Sequence, residues 1–266
     1  MQTPLWQLRQ NSPYWASPAG LAQLAWEQQV FNAFAERVFG FYAVSFALGG
    51  LAPTAQSTIG HVIHVGHASG LRAQAAKLHS MGSVDGKHLA LEMDLHDWPM
   101  QNDSLDYIVL PHVLEFSADP HAVLREAARC LRPGGSLAIS AFNPQSVLGF
   151  QAGHTELGQR SAWLTRKRLI DWLQLLDLHT DKGAFGQWRP IHGQAQAFER
   201  WAWLDGVGER FWPQLANVFA LRVVKRITPD LRQFQPKKRS IFARAPVVAG
   251  SNTQNNTNNS SAQRFS

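Results

Sequence analysis

Apolar residues recur at helical spacing in the first part of the chain. Their separation by three to four positions predicts helices that cover another layer of the fold. The residues that make this pattern are Leu21, Leu24, Ala25, Val30, Phe31, Phe34, Val38 and Phe39. We therefore predict a helical N-terminal cap over residues 1–60.

The pattern changes to short β-branched runs after residue 60. Val62, Ile63 and Val65 precede Gly66 and a series of small residues that ends at Gly70. This order predicts a strand, a tight turn and the start of a helix. Further strands are predicted over Leu89–Met93, Tyr107–Leu110, Ser136–Phe142, Leu178–Trp188 and Phe219–Val224.

The clearest helix is predicted between Asp119 and Leu131. Asp119 stands at the N-cap, Pro120 takes the first helical position, and Pro133 follows the last turn. Another helix is predicted over Arg166–Leu176. Strands that alternate with helices predict an α/β fold whose sheet is largely parallel and covered on both faces.

Charge and composition indicate a basic segment and a polar tail near the end of the chain. The chain has 266 residues and a formal net charge of +6, with many basic residues gathered in the segment 222–244. No aromatic interleaving accompanies that segment, so nucleic acid is not indicated and a solvated basic face is the simpler interpretation. Residues 247–266 are mostly Asn, Ser, Thr and Gln, which predicts a disordered tail after a single domain over residues 1–246.

The cysteine content and the hydropathy of the chain indicate the cellular compartment to expect. Cys130 is the only cysteine, so an internal disulfide framework is excluded, as expected in a reducing compartment. Residues 1–11 lack the basic and apolar order of a secretory signal, and the most apolar stretch, Phe39–Leu51, is too short to cross a bilayer. We expect a cytoplasmic protein without a transmembrane segment.

Three segments resemble, in their order and spacing, the type 11 branch of the class I S-adenosylmethionine (SAM)-dependent methyltransferases. They are His61–Gly70, Asp94–Met100 and Asp119–Gly135. Residues Leu110–Phe116 and Ala141–Pro144 are similar, more narrowly, to a proteobacterial group of methyltransferase-like proteins.

This resemblance implies a Rossmann-like class I methyltransferase fold with a mostly parallel sheet of seven strands. The SAM-binding core would span residues 61–145, and residues 146–246 would hold the C-terminal half of the sheet and the basic segment. SAM would lie across the carboxyl ends of the first strands, where open α/β sheets bind their ligands.

The resemblance also implies roles for individual residues. Asp94 would accept a hydrogen bond from the adenine amino group, and Asp85 is the candidate for the ribose hydroxyls. His112 is the candidate general base. The full set of predicted cofactor-binding residues is Gly66, His67, Ala68, Gly70, Asp94, Leu95, Pro111 and His112, with Asp85 as a further candidate.

The predicted glycine loop departs from the family pattern. The family begins this loop with an acidic residue and follows it with three alternate glycines, whereas His64 and Ala68 stand in the positions of the acid and the middle glycine. Neutral imidazole offers one lone pair and its protonated form none. Two hypotheses follow: an enzyme that transfers a methyl group from SAM to an unidentified small molecule, or a non-catalytic binding module of the same fold.

Three histidines invite a metal interpretation. His61, His64 and His67 are three residues apart and would share one face only if the segment were helical. In the strand that Val62 and Val65 favour, His61 and His64 point to opposite faces. A metal site is therefore not predicted.

Overall fold

A computed structural model describes residues 9, 12–55, 57–66, 71, 87–152, 162–190 and 195–227. The first compact unit of the chain spans Met1–Thr228. The predicted tail over 247–266, the predicted domain end at 246 and most of the basic segment lie outside the described residues.

Seven strands form one sheet in the order β3-β2-β1-β4-β5-β7-β6. The first five strands run parallel, and β7 runs antiparallel to both β5 and β6. This confirms the predicted α/β sheet. The strands are β1 (Tyr42–Phe46), β2 (His61–Val65), β3 (Lys87–Leu91), β4 (Leu105–Pro111), β5 (Leu131–Phe142), β6 (Leu178–Gly186) and β7 (Val218–Lys225).

The described helices begin at the caps that their sequences supply. Ser17 caps α1, where its hydroxyl oxygen accepts from the Gly20 N–H at 3.1 Å. Asp119 caps α2 as predicted, and it accepts from the Ala122 N–H at 3.0 Å. The α-helices are α1 (Pro18–Ala35), α2 (Pro120–Cys130), α3 (Val147–Ala152), α4 (Arg166–Leu175), α5 (Ala195–Glu199) and α6 (Trp203–Phe211); 3₁₀ turns span Pro13–Ala16, Leu114–Phe116 and Pro213–Leu215.

The prediction of a helical cap over residues 1–60 is wrong for Tyr42–Phe46, which form the strand β1. This strand lies in the middle of the sheet, between β2 and β4, and Ala43–Phe46 are fully buried. A central parallel strand is covered on both faces and therefore has a continuous apolar run, which resembles a buried helix in sequence. His61–Val65 is consequently the second strand of the fold.

A buried carboxylate fixes where β1 begins. Oδ2 of Asp106, in β4, accepts the backbone N–H groups of Phe41 at 2.5 Å and Tyr42 at 2.9 Å. A Cβ at Gly40 would lie 2.1 Å from the Asp106 Cγ, so only glycine leaves room for this approach. The neighbouring strands β1 and β4 are thus locked together at their starts.

Among the described helices, none is long and apolar enough to cross a membrane.

Candidate functional site

The strand order reverses between β1 and β4. In open α/β sheets the connections diverge at such a strand pair, and ligands bind in the crevice at the carboxyl ends of the two strands. Phe46, Val65 and Leu91 lie level in the register of β1, β2 and β3, and Pro111 of β4 pairs with Ser140 of β5. The residues that follow these strands therefore lie along one edge of the sheet.

A left-handed glycine turn follows β1. Gly49 has φ +50° and Gly50 has φ +77°, a conformation that glycine adopts without steric penalty. A Cβ at Gly49 would lie 2.7 Å from Leu24 Cδ1 of α1. This turn holds the backbone close to the crevice, one strand earlier than the predicted glycine loop.

The prediction that Gly66 belongs to the first cofactor loop is wrong by one strand. Gly66 follows β2, and its N–H donates to the carbonyl of Leu91 in β3 at 3.2 Å. The error follows from assigning His61–Val65 to the first strand. His67, Ala68 and Gly70 lie outside the described residues.

Neither of the first two strands ends in a carboxylate. The sequence contains no Asp or Glu between Arg37 and Val84. Asp85 was predicted to meet a ribose at the end of the second strand, but that strand ends at Val65, so Asp85 does not hold this position. Asp85 itself lies outside the described residues.

Asp94 follows β3 at the crevice edge and is exposed to solvent. Its Oδ1 accepts the backbone N–H of His96 at 2.8 Å and lies 3.1 Å from Nδ1 of the same residue. These bonds, the backbone one foremost, lower the pKa of Asp94, so the carboxylate is ionised at neutral pH. Its Oδ2 forms no hydrogen bond with the described residues, whereas the next side chain, Leu95, is buried in the core.

Arg9 spans the crevice between β1 and β4. Its side chain is fully buried; Nη1 donates to the carbonyl of Pro111 and Nη2 to the carbonyl of Ala47, both at 2.6 Å. Burial lowers the pKa of Arg9 to about 10, so the guanidinium remains charged at neutral pH. Trp15 anchors the same residue, because its Nε1 donates to the Arg9 carbonyl at 2.7 Å.

His112 follows β4 and is held between two carboxylates. Its Nδ1 lies 2.9 Å from Glu115 Oε1, and its Nε2 lies 2.6 Å from Glu27 Oε1; all three side chains are fully buried. Burial acts to lower the pKa of His112, but Glu27 and Glu115 outweigh it and raise the pKa to about 9. The ring is therefore an imidazolium at neutral pH, and both of its nitrogens face carboxylates, an arrangement that does not favour the predicted role of general base.

Other polar groups complete the surroundings of these carboxylates. Gln23 donates to Glu27 Oε1 at 2.9 Å, and Ser140 donates to Glu27 Oε2 at 3.3 Å. The Phe142 N–H donates to Glu115 Oε1 at 2.7 Å. Each buried charge therefore has hydrogen-bond partners from more than one element, which fixes its orientation.

We call Arg9, Glu27, His112 and Glu115 the buried charge cluster. Two cations and two anions make it neutral, which is how charges persist in a protein interior. Two atoms of the cluster, Arg9 Nε and Glu115 Oε2, have no hydrogen-bond partner within the described part of the chain. Arg9, Glu27 and Glu115 are not predicted from the sequence; the one signal for them is Glu27, a charged residue within the apolar face of α1.

The histidines of β2 lie on opposite faces of the sheet, as the strand pattern predicts. His64 is buried, and its Nε2 lies 2.8 Å from Nδ1 of His88 in β3. The His61 ring packs 5.3 Å from that of Tyr42, while His67 lies outside the described residues. Among the residues with described positions, no three His, Cys, Asp or Glu side chains are grouped to hold a metal ion.

Comparison with known proteins identifies a methyltransferase domain. The model of that family matches residues 47–139, a range that begins at the turn after β1 and ends within β5. The uncharacterized protein YafS of Escherichia coli K12 is 32% identical over 144 residues, which cover 50% of this chain and 60% of that protein. The match thus leaves about two fifths of the relative uncovered.

Solved structures share the fold over most of the chain. A methyltransferase of Haloferax volcanii, solved with the Trm112 methyltransferase activator, aligns with a TM-score of 0.60 at 16% identity and covers 85% of this chain and 100% of its own. A SAM-dependent methyltransferase of Thermotoga maritima aligns with a TM-score of 0.55 at 14% identity, over 84% of this chain and 100% of its own. At these identities the likeness establishes the fold alone.

Proposed function

We propose that this chain, whose residues 47–139 match the methyltransferase domain family, binds SAM in the crevice between β1 and β4 and transfers the methyl group to a small molecule. The observation that carries this proposal is the meeting of three features at one sheet edge. They are the Gly49–Gly50 turn, the free oxygen of Asp94 and the carbonyls of Ala47 and Pro111.

These features fit the parts of SAM. Asp94 is ionised and offers Oδ2 as an acceptor for an adenine amino group. The left-handed turn at Gly49 lets the backbone approach the ligand without a Cβ in between. The carbonyls of Ala47 and Pro111 suit a cationic N–H donor such as the ammonium group of SAM, which would have to displace the Arg9 guanidinium that binds them.

When bound, SAM supplies a methyl group on a positively charged sulfur, ready for in-line attack by a nucleophile. The contribution of the chain is to align the acceptor and exclude water. The rings of Trp15 and Phe142 lie 5.3 Å and 4.1 Å from the His112 ring, and they shield the buried charge cluster from water. His112 is enclosed by Glu27 and Glu115, so no role in taking a proton from the acceptor is assigned to it.

A second function, binding without catalysis, rests on a separate observation. The ends of β1 and β2 carry no carboxylate, since the sequence has none between Arg37 and Val84. In addition, Arg9 occupies the carbonyls that the ammonium group would need. Under this alternative the fold persists as an interaction module while the cofactor site has lost its affinity.

Calorimetric titration separates the two functions. We expect SAM to bind the full chain with micromolar affinity, and Arg9→Ala to bind SAM several-fold more tightly because its two carbonyls are free for the ammonium group. 5′-Methylthioadenosine lacks that group, so its affinity should be the same for both proteins, which controls for misfolding. No binding of SAM to either protein at millimolar concentration would favour the interaction module.

A further inference from the structure

A second cavity opens at the same edge of the sheet, beyond β5. β5 ends at Phe142, β6 ends at Gly186 and β7 begins at Val218, and these three residues lie level in the register. The cavity has a volume of about 590 Å³ and is lined by Asn143 and Gln214, which lie just beyond those strand ends. This volume suits a small organic molecule.

The floor of the cavity is rigid. Asn143 Nδ2 donates to the carbonyls of Gln214 at 2.7 Å and Ala216 at 2.9 Å, and its Oδ1 accepts the Gln145 N–H at 3.1 Å. Asn143 directly follows Phe142, whose ring lies 4.1 Å from that of His112. The cavity is therefore joined to the buried charge cluster by a single, well-packed residue.

Two cations reach this cavity from α4. Arg166 and Lys167 both line it, and the Arg166 guanidinium lies 5.5 Å from the centre of the Phe185 ring, which also belongs to the lining. Neither side chain forms an ion pair with any acidic residue that the structure describes. Asp171 is the single acidic residue in the lining, so the wall has a net positive charge.

We propose that this cavity binds the methyl acceptor and that the acceptor is a small organic anion with an apolar body. Its anionic group would meet Arg166 and Lys167, and its apolar part would contact Phe185 and Ile170. The identification as an acceptor site rests on the proposed function, because it requires SAM at the neighbouring strands. Selectivity for an anion is a property of the cavity alone.

The test uses 2-naphthoate and its neutral analogue 2-naphthalenemethanol as probes, with binding to the full chain followed by NMR. We expect naphthoate to bind at least about tenfold more tightly, and the double variant Arg166→Gln/Lys167→Gln to lose this preference. The variant Arg168→Gln/Arg210→Gln is the matched control, since it removes the same two charges from side chains outside the lining and should keep the preference.

Two outcomes would overturn the inference. One is equal binding of the charged and neutral probes, and the other is a preference that survives in Arg166→Gln/Lys167→Gln. SAM titration of the same proteins separates this question from the proposed function. If the preference behaves as expected while SAM fails to bind, the anion site stands and the assignment as a methyl acceptor falls.

Discussion

The carboxylates on the two sides of the crevice differ in their exposure to solvent. On the side of β1, β2 and β3, no carboxylate follows β1 or β2 directly, and Asp94, just after β3, has a side chain that is 69% exposed. On the side of β4 and β5, Glu27 and Glu115 are fully buried against His112. An exposed carboxylate keeps its solvation and remains available to a ligand, whereas a buried one depends on its partners.

This difference separates binding from stability. Substitution of Asp94 should alter the affinity for a ligand and leave the folded state intact. Substitution within the buried charge cluster should alter the free energy of unfolding first, because it leaves an uncompensated charge in the interior. Three variants, two of them with a matched control, test this division.

The largest effect is expected for Glu27→Ala. The variant leaves the Arg9 and His112 cations facing Glu115 alone, and the loss of one partner from a buried ion pair lowers the free energy of unfolding by about 3–5 kcal/mol. Urea denaturation measures this loss. Glu36→Ala removes an exposed carboxylate just after α1 and should change stability by less than about 0.5 kcal/mol. Equal effects of the two substitutions would contradict the distinction between the two sides.

A smaller effect is expected from pH. The pKa of His112 is raised from 6.5 to about 9 in the folded chain, so its stabilising contribution is complete below pH 6.5, declines above it and is lost beyond about pH 9. Denaturation at several pH values between 6 and 9.5 should show this fall. In His112→Asn, which tolerates the same left-handed backbone, the decline in this interval should be reduced. If stability depends on pH in the same way in His112→Asn, groups other than His112 cause the decline.

The smallest effect is expected for Asp94→Asn. The amide keeps the shape of the side chain but weakens one charge-assisted hydrogen bond, so SAM affinity should fall by about tenfold while the melting temperature stays unchanged. Asp97→Asn alters an exposed carboxylate in the same loop and should leave the affinity as it was. The assignment of Asp94 to the cofactor fails if both variants bind SAM like the original chain.

Local patterns predicted most of the sheet. The strands from β3 to β7 and the capped helix α2 occur close to where alternation, β-branched residues and the Asp119-Pro120 pair placed them. β1 was not predicted because its apolar residues continue the apolar run of the preceding helix. Burial on both faces also removes the alternation of apolar and polar residues by which a strand is recognised in sequence. Because β1 was not predicted, the glycine loop was expected after β2 instead of after β1.

The buried charge cluster was beyond prediction for a different reason. Arg9 and Pro111, and likewise Glu27 and His112, meet only because α1 and the segment before it fold over the carboxyl ends of β1 and β4. Local sequence patterns do not predict contacts between residues that are so distant in sequence. The position of Asp94 just after β3 depends on neighbouring residues alone, whereas its role toward the cofactor stays a prediction.

The backbone at His112 has a consequence for protein engineering. Its φ is +50°, a conformation that non-glycine residues adopt at a cost of about 1–2 kcal/mol. Glycine would relax the main chain at this position, yet it would also remove the cation that keeps Glu27 and Glu115 compatible inside the protein. A thermostabilisation campaign guided by backbone geometry alone would therefore choose the wrong substitution here, and combinatorial libraries should hold this histidine fixed.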